Sequence, residues 1–218
     1  MNLPLLQVAL DNTSLEDAVK SVLQYGHVID IVEVGTILHY AEGAKATSVL
    51  RQMFPDKILL DDIKGADAGA TLADICFKAG ADTMTAICSA DVATMISMLE
   101  VAKKYGPNKD VQVELYGDWT FDHAQSWLDN GLTQVVYHRS RDAELAGKKW
   151  SDEDIEKIAK LSEMGLKVTI TGGLNVEDLV LFEGLNIHCV IAGRGIRNAE
   201  NPEQAALDFK AEIKRIWG

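Results

Sequence analysis

The chain has little positive charge, few cysteines and no long apolar run. Its 21 Lys and Arg stand against 33 Asp and Glu, a formal net charge of −12. Binding a phosphate backbone needs a basic footprint, so nucleic-acid binding is excluded, as is adhesion to an anionic membrane surface. A small anionic ligand is still allowed, because a few basic side chains inside a cleft set the local field. Cys76, Cys88 and Cys189 are the only cysteines and have no CxxC spacing. Each lies in an apolar run (ICF, AICSA, HCVIAG) and reads as a buried thiol rather than a redox or metal ligand. A reducing compartment follows. The opening MNLPLLQVALDN lacks a basic n-region, and its apolar run is too short for a signal peptide or a membrane span. A soluble cytoplasmic protein is expected. No Ser/Pro-rich or low-complexity stretch divides the 218 residues, so one domain spanning 1–218 is expected.

What the chain does have is alternation. Short β-branched apolar runs occur at LLQVAL (5–10), VIDIVEVG (28–35), KILLDDIK (57–64), TMTAICS (83–89), VQVELYG (111–117), TQVVYHRS (133–140), KVTITGG (167–173) and HCVIAGRG (188–195). Amphipathic helical patterns lie between them. One is SLEDAVKSVLQY, with a Ser14/Glu16 capping pair slightly out of ideal spacing. The others include DVATMISMLEVAKKY, opening on Asp91, and SDEDIEKIAKLSEMG, running from Ser151 to Gly165. Eight strands, each followed by a helix, predict a single-domain (β/α)8 TIM barrel. A doubly wound sheet usually carries a GxGxxG turn after its first strand, whereas this strand ends in LDNTS.

Active sites in this barrel sit at the C-terminal strand ends. There the chain places Asp11, Glu33, Asp62 with Lys64, Gln112 with Glu114, His138, Thr169 with Thr171, and Gly193 with Arg194. Arg139 and Arg141 follow strand six. Asp61 falls on the opposite face of strand three and is expected to be solvated or capping. Each residue alone has an ordinary structural reading, such as a satisfied core acid or histidine. Their gathering at one end of one barrel favours a site. TGG (171–173) and AGRG (192–195) suit the phosphate cradle that loops seven and eight of such barrels often form, with Arg194 as its guanidinium. Glu33 and Asp62 suit Mg²⁺, with waters and substrate oxygens completing the shell. Lys64 suits charge stabilisation on an enolate-type intermediate, and His138 suits proton donation. The residues alone therefore lead to carbanion or enediolate chemistry on a phosphorylated small molecule.

The stretch DIKGADAG (62–69) resembles the D-x-K-x-x-D motif of the orotidine-monophosphate decarboxylase superfamily, as Asp62, Lys64 and Asp67. LQVALD, DIVEVGTIL, VQVEL, QVVYHRSRDA, VTITGGL and IAGRGIR extend the resemblance over essentially the whole chain. They bring it nearest to the 3-keto-L-gulonate-6-phosphate decarboxylases of L-ascorbate catabolism. That resemblance implies Mg²⁺-dependent decarboxylation to L-xylulose 5-phosphate and CO₂ through a metal-stabilised cis-enediolate. It implies Glu33 and Asp62 as metal ligands and Lys64 as charge stabiliser. His138 and Arg141 would serve protonation, with Glu114 in the same polar network. Asp11 would contact a substrate hydroxyl, and Gly173, Gly193 and Arg194 would grip the phosphate with Thr171 nearby. It further implies a homodimer in which Asp67 reaches the partner's site. The related 3-hexulose-6-phosphate synthases, which are aldolases, share the motif and the phosphate loops. They differ by an aspartate where this chain has Glu114 and by lacking the HRSRD segment. Aldolase activity and a non-catalytic sugar-phosphate-binding barrel are the alternatives. DDIKGADAG departs from the usual wording at Ile63 and Gly65, where altered backbone freedom at Gly65 is expected.

Overall fold

In the computed structural model, which describes residues 3–218, the strands close into a barrel in sequence order, with β8 returning to β1. They are β1 (Leu5–Leu10), β2 (Ile31–Val34), β3 (Ile58–Gly65), β4 (Thr83–Ile87), β5 (Asp110–Leu115), β6 (Gln134–His138), β7 (Lys167–Thr171) and β8 (Cys189–Ala192). Every ladder is parallel. The protein is a single (β/α)8 TIM barrel.

The connections are α1 (Leu15–Val22), α2 (Thr36–Glu42) with α3 (Ala44–Met53), α4 (Gly69–Lys78), α5 (Val92–Tyr105), α6 (Phe121–Asp129), and α7 (Arg141–Leu145) with α8 (Asp152–Glu163). After β8 come α9 (Arg194–Arg197) and α10 (Pro202–Trp217). One expected helix is missing: β7 is followed by a 3₁₀ stretch, Val176–Phe182. The glycine turn before it and Gly184 after it, all at positive φ, bound the stretch. Asp91 caps α5 and Ser151 caps α8 as expected, but the partner of Ser14 is Asp17 rather than Glu16. The Asp17 N–H, three positions on, is the one that reaches the Ser14 hydroxyl (3.2 Å).

Strand alternation divides the burial. Outward side chains such as Leu6, Val8, Val32, Leu59 and Val113 join the helices in the main core. The barrel interior holds only small apolar clusters, one of Ile31, Leu60 and Cys189 and one of Ala9, Val136 and Ile191. The remaining interior positions are polar and buried, among them Gln7, Glu33, Thr85, Gln112, Glu114 and Thr169. Burying polar groups at this density costs stability unless each is hydrogen-bonded. Gln7 Nε2 donates to Glu33 Oε2 (2.6 Å) and Gln112 Nε2 donates to Gln134 Oε1 (2.9 Å), whereas Gln112 Oε1 and Thr169 Oγ1 have no partner among the described residues. The three cysteines are free and buried.

Strand β3 departs from regular pairing. Its register against β4 shifts between Asp61 and Gly65, and Lys64 takes a left-handed φ of +50°. A non-glycine residue there costs about 1–3 kcal/mol and persists only where its surroundings hold it. The positive φ is thus at Lys64 and not at Gly65. At Gly65 an added Cβ would lie 2.5 Å from Met98 Cε, the flexible end of that side chain, which would have to shift. Asp61 is not solvated: it is fully buried on the outer face of β3, accepting from His39 Nδ1 (2.7 Å) and Thr47 Oγ1 (2.8 Å). The outward pleat of β3 points into the layer of α2 and α3, so Asp61 fastens both helices to the strand.

At the opposite end of the barrel, Asp82 accepts from the Leu59 N–H (2.8 Å), from Lys109 Nζ (2.8 Å) and from Arg51. Burial opposes its charge, but the Lys109 hydrogen bond, the Leu59 N–H and the nearby Arg51 hold its carboxyl below the usual range. A depressed carboxyl stabilises the fold above about pH 4, and that contribution is lost as pH falls through the folded value. Asp82→Ala is therefore expected to cost about 2–3 kcal/mol at pH 7 in urea denaturation. The difference from the parent should shrink in strongly acidic solution.

Candidate active site

The polar interior opens at the C-terminal strand ends into a cavity of about 230 Å³. Lys64, at the bulge of β3, lines it. Its Nζ is 2.5 Å from Asp62 Oδ2, 2.8 Å from Glu114 Oε2 and 2.8 Å from Thr36 Oγ1. Burial alone would lower the lysine pKa, but Asp62 and Glu114 outweigh it and push the group up, so the ammonium stays charged. The bulge places Asp62 and Lys64 together, and it is itself fastened. The Lys64 N–H donates to Thr85 Oγ1 (2.9 Å), which donates to Asp62 Oδ1 (2.7 Å). Thr36, the first residue of α2, donates to Asp62 Oδ2 (2.5 Å). Burial works against a charged Asp62, but Lys64, Glu114 and Thr36 hold its carboxyl below the usual range.

The other two carboxylates behave oppositely. Burial and then the Asp62 charge push Glu33 well above the ordinary range. Glu114 is also pushed up, by burial and then Asp62, against the opposing pull of His138 and Lys64. His138 Nδ1 lies 2.5 Å from Glu114 Oε1 and 2.7 Å from the Tyr116 hydroxyl. Burial, then Glu114 and Asp62, raise the Tyr116 phenol, which stays protonated as a donor.

Loops six to eight form the other end of the cavity. Gly172 and Gly173 have φ of +117° and +61°, conformations that favour glycine. Arg139 braces this turn, donating from Nε and Nη2 to Gly172 O (3.0 and 2.7 Å) and stacking on Trp150. Arg141 lines the cavity instead, together with Thr171, Gly173, Gly193 and Arg194. Arg194 is paired with Glu144 of α7.

The structure thus gathers Asp11, Glu33, Asp62, Lys64, Glu114, His138, Arg141, Thr171, Gly173, Gly193 and Arg194 around one cavity. Asp67 is not among them. It is exposed on the loop before α4, beside Thr94 and Ser97 of α5. Sequence reading missed Thr36, Thr85, Tyr116 and Glu144. Thr85 and Tyr116 were reachable through the alternation of β4 and the step of two from Glu114. Thr36 and Glu144 carry no local signal.

The residues fit a divalent cation. Glu33 is buried beside Asp62, its hydrogen-bond partner is the neutral Gln7, and no ion pair reaches it among the described residues. Two neighbouring carboxyl groups, one of them without a cationic partner, suit an oxygen-liganded cation. Glu33 and Asp62 are the residues that would supply the protein's share; among the described residues no cluster of three or more His, Cys, Asp or Glu is arranged to hold a metal.

Comparison with known proteins agrees with this geometry. Residues 4–209 match the model of the orotidine 5′-phosphate decarboxylase / HUMPS family. The chain is 52% identical over 218 residues, all of both chains, to 3-keto-L-gulonate-6-phosphate decarboxylase UlaD of Salmonella paratyphi B. Its structure superposes on that of a ligand complex of KGPDC from Streptococcus mutans with a TM-score of 0.98, at 50% identity and full coverage of both chains. The 3-hexulose-6-phosphate synthase of Salmonella typhimurium is similar at a TM-score of 0.90 and 27% identity, over 97% of this chain and 99% of that one. By the matched model and the full-length identity, the chain belongs to the orotidine 5′-phosphate decarboxylase / HUMPS family.

Proposed function

We propose that the protein is a carboxy-lyase that decarboxylates 3-keto-L-gulonate 6-phosphate to L-xylulose 5-phosphate and CO₂, in the breakdown of L-ascorbate. The observation that carries the reading is the half-buried Lys64 ammonium, set between Asp62 and Glu114 in the cavity that Glu33 also lines. Full-length identity of 52% to a decarboxylase of that name supports the substrate. In this β-keto acid the C1–C2 bond breaks, its electron pair moves toward the C3 oxygen, and a proton must then reach C2.

Each residue has a task in that sequence. Arg194, Gly173, Gly193 and Thr171 bind the phosphoryl group, and Asp11 orients a substrate hydroxyl. Lys64 stabilises negative charge as the C1–C2 bond breaks, in a site where such charge is poorly screened. His138, held by Glu114 through Nδ1, is the proton donor: as the imidazolium it gives up its Nε2 proton through water to C2, with Arg141 orienting that water, and is left as the neutral ring. Glu33 and Asp62 hold Mg²⁺, which supplies Lewis-acid stabilisation of substrate oxygens when bound. Asp67, exposed outside its own cavity, serves the site of a second subunit in a homodimer. The three free cysteines suit the cytoplasm, and no helix among the described residues is long and apolar enough to cross a membrane. A weak 3-hexulose-6-phosphate synthase side activity is the second reading, favoured by the likeness to that enzyme.

Incubation with 3-keto-L-gulonate 6-phosphate and Mg²⁺ is expected to release CO₂ and form L-xylulose 5-phosphate in equal amounts, read by coupled assay. EDTA should abolish turnover and added Mg²⁺ restore it; full turnover in EDTA would remove the metal from the account. Lys64→Ala is expected to lower kcat by about 10²–10³-fold, the range for loss of one charge-stabilising donor, while a sugar phosphate still binds. Because burial and Asp62 raise the Glu33 pKa, a cation must displace a proton there. Apparent Mg²⁺ affinity should therefore weaken as pH falls, measured by titration at several pH values.

A further inference from the structure

The pairing of Arg194 with Glu144 is not used by the chemistry above. Arg194 begins α9 and Glu144 lies in α7, fifty positions earlier, and both side chains are about a quarter to a third exposed at the cavity wall. The Glu144 carboxylate also fills the space above Gly173. A Cβ added to that glycine would overlap it, with the carboxyl carbon at 2.3 Å. An internal anion thus sits on the guanidinium and against the glycine assigned to the phosphoryl group.

We infer that Glu144 is a specificity-determining residue, a tethered carboxylate that yields the Arg194 seat to a phosphoryl group but not to another carboxylate. The inference rests on the sugar-phosphate reading and deepens it. A ligand carboxylate arriving at Arg194 exchanges like for like, with one negative charge and two oxygens. It also competes with a group whose tether gives it a high effective concentration. A phosphoryl group brings nearly two charges and three acceptor oxygens, enough to engage the guanidinium fork and neighbouring N–H groups together. The proposed substrate carries a carboxylate at C1 and a phosphate at C6, and a bare Arg194 accepts either end. Glu144 sets the polarity: the phosphate goes to Arg194, and the carboxylate is left for the Lys64 end, where the bond must break.

The test is calorimetric binding to the full chain, with inorganic phosphate and L-gulonate as probes. Glu144→Gln is expected to tighten phosphate by about threefold, the loss of one partly exposed competing pair. It should tighten L-gulonate by about tenfold, as for a newly available charge-assisted hydrogen bond. The ratio of the two Kd values therefore narrows, and Glu144→Ala should narrow it likewise if the carboxylate is what matters. An unchanged ratio in both variants, or weaker phosphate binding in both, would overturn the inference. Arg194→Met in the parent background separates the two levels. It should weaken phosphate by tenfold or more, the loss of a bidentate charge-assisted contact. If it leaves phosphate affinity unchanged, the phosphate site itself is misplaced and the inference falls with it. If phosphate binding is lost there and the ratio is unmoved in the Glu144 variants, only the role of Glu144 is wrong.

Discussion

The Lys64 ammonium, held 2.5 Å from Asp62 and 2.8 Å from Glu114, is the interaction around which the mouth of the barrel is arranged. Removing an ammonium from water costs several kcal/mol, more than one imperfect partner returns. Two carboxylates and the Thr36 hydroxyl meet that cost, and they also prevent the lysine from losing its proton. The ammonium is carried by a residue with a left-handed φ of +50°, where the register of β3 shifts against β4. Strain in the strand and charge in the cavity are thus one feature.

The two faces of β3 divide the work. On the inner face Asp62 accepts from Thr36, Thr85 and Lys64 and remains a carboxylate. On the outer face Asp61 is fastened to His39 and Thr47. Thr36 and His39 both belong to α2, so that helix is stitched to β3 on each side of the strand. Burial of Asp61 raises no conflict with the chemistry inside, because the sheet separates the two carboxylates. The same economy appears after β6, where Arg139 braces the glycine turn and Arg141, two positions on, lines the cavity.

Much of the fold was legible because barrel strands bury both faces and read as apolar runs. β1 and the start of β7 coincide with their runs, and Asp91 and Ser151 cap the helices they open. The in-phase polar residues at strand ends were legible for the same reason: a step of two along a strand keeps one face. Asp61 was misjudged, since a charge on the outer face reads as solvated until the covering helices are known. The bulge was invisible because Lys64 is not a residue type that announces a positive φ. Thr36 and Glu144 reach the site only through long-range packing of α2 and α7, and no spacing in the chain encodes that. Asp67 was legible as part of a motif, but its own chain does not bring it to the cavity.

The central claim is that Lys64 stays charged because Asp62 and Glu114 hold it, and this can be measured at the atom itself. In protein labelled at lysine Cε, the Lys64 carbon resonance should show no deprotonation through the ordinary lysine range near pH 10.4, while exposed lysines titrate there. A Lys64 that loses its proton at or below that value would contradict the account.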